Sequence, residues 1–306
     1  MTKQRYNKTR KDVCQEITNN LIASLEKGVL PWRMDWDASG AAGIPSNAVT
    51  GNNYNGMNVL NLWVSAAENG FGSSKWLTYK QAQEAGGQVR KGEKSTVAIF
   101  YKTIEVDSRE QVDENGNPVK ENIPMLKSFR LFNLDQIDGL EHLKEGVNRP
   151  RYEFSPIQAG EQLLAAAREH LTVHESGAQA FYRPSTDEIT MPERDRFPEE
   201  EKFYAVFAHE FTHATKHKTR CDRKPYSENH KTAYAFEELV AEIGSLFAAA
   251  HIGMPQPVAN HDSYIASWLE ALKNDKRLIF KAAAQAQQAA DWMLDALDKH
   301  LKNTAA

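Results

Sequence analysis

From Lys11 to Lys27 apolar residues recur every fourth position, at Val13, Ile17, Leu21 and Leu25, and Gly28 follows as a stop. That spacing predicts an amphipathic helix over residues 11–27. The next stretch, PWRMDWDASGAAGIPSNAVTGNNYNGMN, is glycine-rich and aperiodic, and reads as an extended loop with turns. The run NVLNLWVSAAEN predicts a short helix over 58–69, and LTYKQAQEAGG a second one closed by Gly86 and Gly87. STVAIFYKTIEV and PMLKSFRLFNL are rich in β-branched and aromatic residues and flank the polar string DENGNP. They predict a hairpin with Asn115-Gly116 at its tip.

The pattern changes near GLEHLKEGVNRPRYEFSPIQAGE, where Gly146, Pro150 and Pro156 punctuate a polar connection. A domain boundary is expected between residues 142 and 157, with units at 1–145 and 155–306. Beyond it, a helix is predicted from Pro156 to Leu171, then a β segment, AFYRPSTDEITMP, with a tight turn at its centre. Three further helices are predicted at 198–217, 231–251 and 262–300, the last broken near Asn274-Asp275. The expected fold class is α+β: a mixed first domain with a small antiparallel sheet, then a helix-rich second domain with a short sheet.

Composition changes little in this picture. In 306 residues, 41% hydrophobic and 25% charged content are globular averages. A net charge of −4 gives no global pull toward nucleic acid or membrane, so such partners must be sought locally. Two cysteines, Cys14 and Cys221, make no disulfide framework and fit a reducing cytoplasm. The basic N-terminus lacks the apolar stretch of a signal peptide, and no apolar run is long enough to span a bilayer. No membrane partner is expected.

The candidate chemistry lies in AHEFTHATKH. His209 and His213 stand four apart, so a helix presents both imidazoles on one face, with Glu210 on the neighbouring face. This is the arrangement of a zinc hydrolase, in which the histidines hold the metal and the glutamate takes a proton from water. A catalytic zinc needs a third protein ligand. Metzincins would carry Gly and His where Lys216 and Thr219 stand, so that class is excluded. In FEELVAEIGSLF, Glu238 and Glu242 share a helix face. As in the thermolysin-like pattern, Glu238 is the expected third ligand and Glu242 the acid that orients a ligand histidine. His230 is the alternative third ligand, and Glu237 is expected to be a solvated charge. His217 continues the histidine face as a supporting or helix-terminal residue. Tyr226 and Tyr234 read first as packing residues and second as oxyanion donors. The β segment ahead of the helix would offer a sheet edge along which extended substrate binds, or would simply cover the core.

A second local signal is basic. Lys3, Arg5, Lys8, Arg10 and Lys11 crowd the start of the chain without an acid among them. Farther on, Lys75, Lys80, Arg90, Lys91, Lys94 and Lys102 outnumber Glu84 and Glu93, and are interleaved with Trp76, Tyr79, Phe100 and Tyr101. Cations for phosphates and flat rings for bases make a sequence-tolerant surface for single-stranded DNA. Trp32, Trp36, Tyr54 and Trp63 are further candidate platforms. The structural alternative is a solvated basic tail with tryptophans in the core.

The strings NYNGMNVLNLW and KWLTYKQAQEAGGQVRKGEKSTVAIFYK resemble the N-terminal domain of ArdC-type plasmid antirestriction proteins. FYRPSTDEITMPERDRF, AHEFTHATKH, FEELVAEIGSLF and SWLEALKNDKRLIFKAAAQAQQAADWML resemble the rest of that family. The resemblance implies a single-stranded-DNA-binding domain joined to a zincin-like metallopeptidase domain, carried on conjugative plasmids and protecting incoming DNA from restriction. By position it gives His209, Glu210 and His213 the peptidase roles and fits Glu238 as third ligand. The first reading of the chain is a two-part effector whose peptidase domain acts on proteins met on the DNA, restriction components among them. Two other readings stand beside it: a DNA-coating protein with a structural or inactive metal site, and a cytosolic peptidase whose first domain recognises protein.

Overall fold

The computed structural model describes residues 12–27, 43–112, 117–143, 156–254 and 262–305. The first helix, α1 (Val13–Glu26), is capped by Asp12, whose carboxylate accepts from the Gln15 amide at 3.1 Å. After β1 (Ser46–Asn47), α2 (Met57–Asn69) ends at Gly70, with φ +67. There follow β2 (Lys75–Thr78), α3 (Tyr79–Glu84) and β3 (Gln88–Val89). Residues 77 and 78, expected in the helix of LTYKQAQEAGG, belong to β2 instead. The Thr78 side chain accepts from the Gln81 amide while Gln81 Oε1 accepts from the Thr78 amide, and this reciprocal cap fixes the helix start at Tyr79.

The expected hairpin is present but longer than its sequence signal: β4 (Thr96–Val112) pairs antiparallel with β5 (Pro118–Asn133). Its Asn115-Gly116 tip lies outside the described residues. A four-stranded sheet runs β1-β2-β5-β4, and β6 (Ile137–Asp138) pairs with β3. Strand β4 is therefore a sheet edge, a place where backbone groups want partners. Helix α2 supplies them near the strand's start: the Asn58 amide donates to Ile99 O at 2.8 Å while its oxygen accepts from Ile99 N, and Asn61 donates to Val97 O. Beyond that point the ribbon is exposed, at Phe100, Tyr101, Ile123 and Leu126.

The second half opens with α4 (Pro156–Arg168). Its helix stops short of Leu171 because β7 (Thr172–Glu175) begins there, a strand whose sequence signal is too short to read. The AFYRPSTDEITMP segment forms β8 (Phe181–Arg183) and β9 (Glu188–Met191), joined through Asp187 at φ +55. The sheet order is β7-β9-β8, with β7 parallel and β8 antiparallel to β9. Helices α5 (Glu200–Ala214), α6 (His230–Ile252), α7 (Asp262–Asn274) and α8 (Leu278–Thr304) complete the chain.

Alanines at 282, 283, 286 and 290 line the buried face of α8 and let it lie close against α6. At Gly244 of α6 an added Cβ would meet Thr212 Cγ2 of α5 at 2.6 Å, so these two helices meet at near-backbone distance. The hydrophobic core is continuous across the halves: Ile17, Leu21 and Trp63 cluster with Phe247, Trp268 and Ile279. Trp63 meets Phe247 edge-on at 5.8 Å, and Thr18 Oγ1 donates to Lys276 O at 2.8 Å. No helix among the described residues is long and apolar enough to cross a membrane.

Candidate metal centre

Helix α5 buries Phe203, Phe207 and Phe211, spaced four apart, and carries Glu200 and Glu201 in its first turn, where acids complement the helix dipole. His209 and His213 occupy the adjacent face, one turn apart, with ring centroids 4.8 Å from each other and planes at 83°. Helix α6 crosses them. Glu238 sits between the two rings: His209 Nε2 is 3.5 Å from one carboxylate oxygen and His213 Nε2 is 3.4 Å from the other. Three candidate ligand atoms, one each from His209, His213 and Glu238, lie within 4.8 Å of one another. Two donors each about 2.1 Å from one tetrahedral ion stand about 3.4 Å apart, the separation found between each Nε2 and its nearer Glu238 oxygen.

Each imidazole is also held from behind. His209 Nδ1 faces Glu242 at 3.8 Å, and His213 Nδ1 faces Glu237 at 3.4 Å. Glu242 thus stands where a carboxylate would orient His209, as its spacing from Glu238 predicts. Glu237 corrects the sequence reading: it is not solvated but largely buried, and it pairs with Arg223 at 2.7 Å as well as with His213. Arg223 in turn is buried, and donates to Thr212 O at 2.9 Å and to the Thr215 hydroxyl. Glu210 is buried on the neighbouring face of α5, and its charge reaches His213.

The electrostatics follow from this crowding. Burial opposes the charged form of His213, but the Glu237 and Glu238 carboxylates outweigh it and raise the imidazole to about 9. Burial would likewise raise Glu237, yet His213 and Arg223 bring it down to about 2. Burial also opposes the Glu238 carboxylate, but the two histidines hold it well below the usual carboxylate range.

The other candidates near this site are placed elsewhere. His230 opens α6 and is exposed. Helix α5 ends at Ala214, so His217 lies past it and pairs with Asp187 of the β8–β9 turn at 3.7 Å. Tyr226 stacks on Phe236 and gives its hydroxyl to Asp275; burial and that carboxylate push it up to about 12. Tyr234 is exposed. Strand β8 is an edge of its sheet, paired to β9 alone among the described strands.

Of the nucleic-acid candidates, Lys3, Arg5, Lys8, Arg10 and Lys11 lie outside the described residues, as do Trp32 and Trp36. Trp76 corrects the sequence reading. It is 1% exposed, packed edge-on against Phe71, and cannot stack on a base. It is buried because β2 is covered on both faces: Trp76 clusters with Leu62, Ala66 and Leu131, and the following Leu77 with Ala82 and Leu134. Trp63 is buried as well, donating its indole to Gly43 O, and Tyr54 is partly buried against the core. Tyr79 and Tyr101 are 44% and 64% exposed. Lys91, Lys94 and Lys102 are exposed, whereas Lys80 pairs with Glu84, and Arg90 with Glu93 and Asp138. On the β4–β5 ribbon, Phe100 stands opposite Lys127 and Lys102 opposite Met125, a cation-and-ring surface that omits Trp76.

The model for the N-terminal domain of anti-restriction factor ArdC matches residues 11–132, and that for a zincin-like metallopeptidase matches residues 158–285. Protein y4eC of Sinorhizobium fredii (strain NBRC 101917 / NGR234) is 36% identical over 297 residues, covering 96% of this chain and 95% of that protein. A DNA primase TraC of Escherichia coli is 35% identical over 296 residues, covering 93% of this chain. The chain spans only 20% of that primase's length. Among solved structures, the metal-free crystal structure of the antirestriction protein ArdC from plasmid R388 superposes with a TM-score of 0.78 at 39% identity, covering 94% of this chain and 98% of that one. The Mn(II)-bound structure of the same protein gives 0.74 at 40% identity, with the same coverage. With both halves matched in order and nearly full length shared with a solved relative, the chain belongs to the ArdC antirestriction family, with a zincin-like metallopeptidase domain following the ArdC N-terminal domain.

Proposed function

We propose that the chain protects incoming conjugative plasmid DNA from host restriction in the recipient's cytoplasm. Residues 1–145 would hold single-stranded DNA without sequence preference, and residues 155–306 would act as a metallopeptidase on proteins met there, restriction components among them. The observation that carries the peptidase half is the convergence of both Nε2 atoms on the Glu238 carboxylate while each Nδ1 is engaged by another acid. In the neutral form of His213, an Nδ1–H directed at Glu237 leaves Nε2 its lone pair for a metal, and Glu242 stands on the corresponding side of His209. Two imidazoles and one carboxylate favour zinc among divalent cations, although the related R388 protein has been solved with Mn(II). A bound divalent cation would supply Lewis acidity toward a peptide carbonyl. Glu210, on the adjacent face, takes the proton from the attacking water and passes it to the departing amine.

For the first half, exposed Tyr79, Phe100 and Tyr101 together with Lys91, Lys94 and Lys102 support stacking and phosphate contacts, with Phe100 and Lys102 on one face of the β4–β5 ribbon and Tyr101 on the other. Fluorescence anisotropy of a labelled single-stranded oligonucleotide with the full-length protein, at two salt concentrations and against a duplex of the same sequence, tests it. Preferred binding of the single strand, weakening steeply with salt, is the expected result. Absence of binding, or indifference to salt, would discard the nucleic-acid role.

The metal site also carries a pH signature. A histidine raised from 6.5 to about 9 stabilises the metal-free fold fully below 6.5, and that contribution is lost as pH rises through about 9. The loss amounts to at most about 3 kcal/mol. Metal binding should run the other way, tightening over the same interval as the Nε2 proton becomes easier to displace. Melting temperatures between pH 6 and 9.5, with and without Zn2+, check both: the metal-free value falls while the metal-induced increment grows. A flat increment would mean that His213 is not a ligand.

A further inference from the structure

We propose that Glu237 and Arg223 form a positioning pair for His213, the counterpart on the second imidazole of what Glu242 does for the first. The proposal rests on the metal-site reading above and adds to it the source of the second ligand's orientation.

Four observations converge. Glu237 Oε1 lies 3.4 Å from His213 Nδ1, on the side of the ring opposite Glu238. The same oxygen accepts from Arg223 Nη2 at 2.7 Å, so the carboxylate is anchored before it touches the imidazole. Arg223 is buried, and its remaining bonds go to Thr212 O and the Thr215 hydroxyl, one and two residues from His213. Finally, Asp222 adopts φ +47, a left-handed turn just ahead of Arg223, where the loop after α5 brings the side chain back onto the helix it has left.

The consequence is a closed circuit: Thr212 O of α5 and the hydroxyl of its cap residue Thr215 hold Arg223, Arg223 holds Glu237 of α6, and Glu237 holds His213 of α5. An arginine suits this task because its planar fork serves several acceptors at once with fixed geometry. A carboxylate behind an imidazole fixes which nitrogen carries the proton and how the ring is turned, and loss of such a partner lowers metal affinity by about 10–100-fold. Fixing both rings from behind leaves neither free to rotate away from the point their Nε2 atoms share with Glu238.

The test is the dissociation constant for Zn2+ and Co2+, by chelator competition, in the full-length wild type, Glu237→Gln and the double variant Arg223→Met/Glu237→Gln. The Co2+ absorption spectrum and the metal-free melting curve are recorded alongside. Glu237→Gln strands a buried guanidinium and can fail to fold, and the double variant removes both charges together. The expected result is an affinity loss of about 10–100-fold in every variant that folds, with an altered Co2+ spectrum. Wild-type affinity and spectrum in the folded double variant would overturn the positioning role and leave the metal site standing. Failure of the wild type itself to bind metal would overturn both, and is distinguished by the first measurement alone.

Discussion

Replacing Glu238 by alanine is expected to remove divalent-metal binding from the protein, with a loss beyond the roughly 10–100-fold that a partner behind a ligand contributes. Glu238 stands against both imidazoles, one carboxylate oxygen at 3.5 Å from His209 Nε2 and the other at 3.4 Å from His213 Nε2. Without it the set falls to two donors on one helix, one fewer than a catalytic zinc site uses. The neighbouring acids do not substitute, because Glu237 and Glu242 approach the rings from the Nδ1 side. The fold should survive, since Glu238 pairs with His209 and His213 and is not a member of the hydrophobic core cluster. Chelator competition gives the affinity, and circular dichroism confirms the helices. A Glu238→Ala protein that still binds Zn2+ within tenfold of wild type would show that the ion is held elsewhere.

Glu210→Gln should separate binding from chemistry. Glu210 is absent from the three-ligand set, yet it is buried on the next face of the same helix, close enough for its charge to act on His213. Glutamine matches its shape and cannot take a proton, so metal stoichiometry should be unchanged. Cleavage of a labelled unfolded protein by the metal-loaded enzyme should fall by about 10²–10⁴-fold, the range for a positioned general base. Turnover retained by a fully loaded variant would remove Glu210 from the mechanism. The same variant tests the biology: DNA protection that persists without proteolysis would assign it to coating of the strand, and protection that disappears would assign it to the peptidase.

Stretches whose information is local are legible in the amino-acid pattern alone. His209 and His213, and likewise Glu238 and Glu242, are pairs four apart on single helices, so the helical repeat places each pair on one face whatever the helices pack against. The four-residue repeat of Val13, Ile17, Leu21 and Leu25 locates α1 for the same reason, and β-branched runs locate the β4–β5 ribbon. Strand β7 escapes because four residues, TVHE, carry too little pattern, and it exists through its pairing with β9. Trp76 misleads because aromatic-plus-lysine composition does not say that β2 is an interior strand covered on both faces.

Glu237 shows where local information ends. It neighbours Glu238 about 100° around α6, which by itself directs it away from the His209, His213 and Glu238 cluster. Its burial depends on Arg223, delivered from a separate loop, and on how α6 is seated against α5, which the Thr212–Gly244 contact brings to near-backbone distance. The sequence by itself determined which histidines and carboxylates stand four apart and the helices that present them, because these are properties of a few consecutive residues and of one helical period. Only the tertiary structure decided that the two helices meet with both Nε2 atoms on one carboxylate, that a buried arginine stands behind the second histidine, and which aromatic rings reach the surface. Those are relations between segments far apart in the chain, set by packing rather than by any periodicity along it.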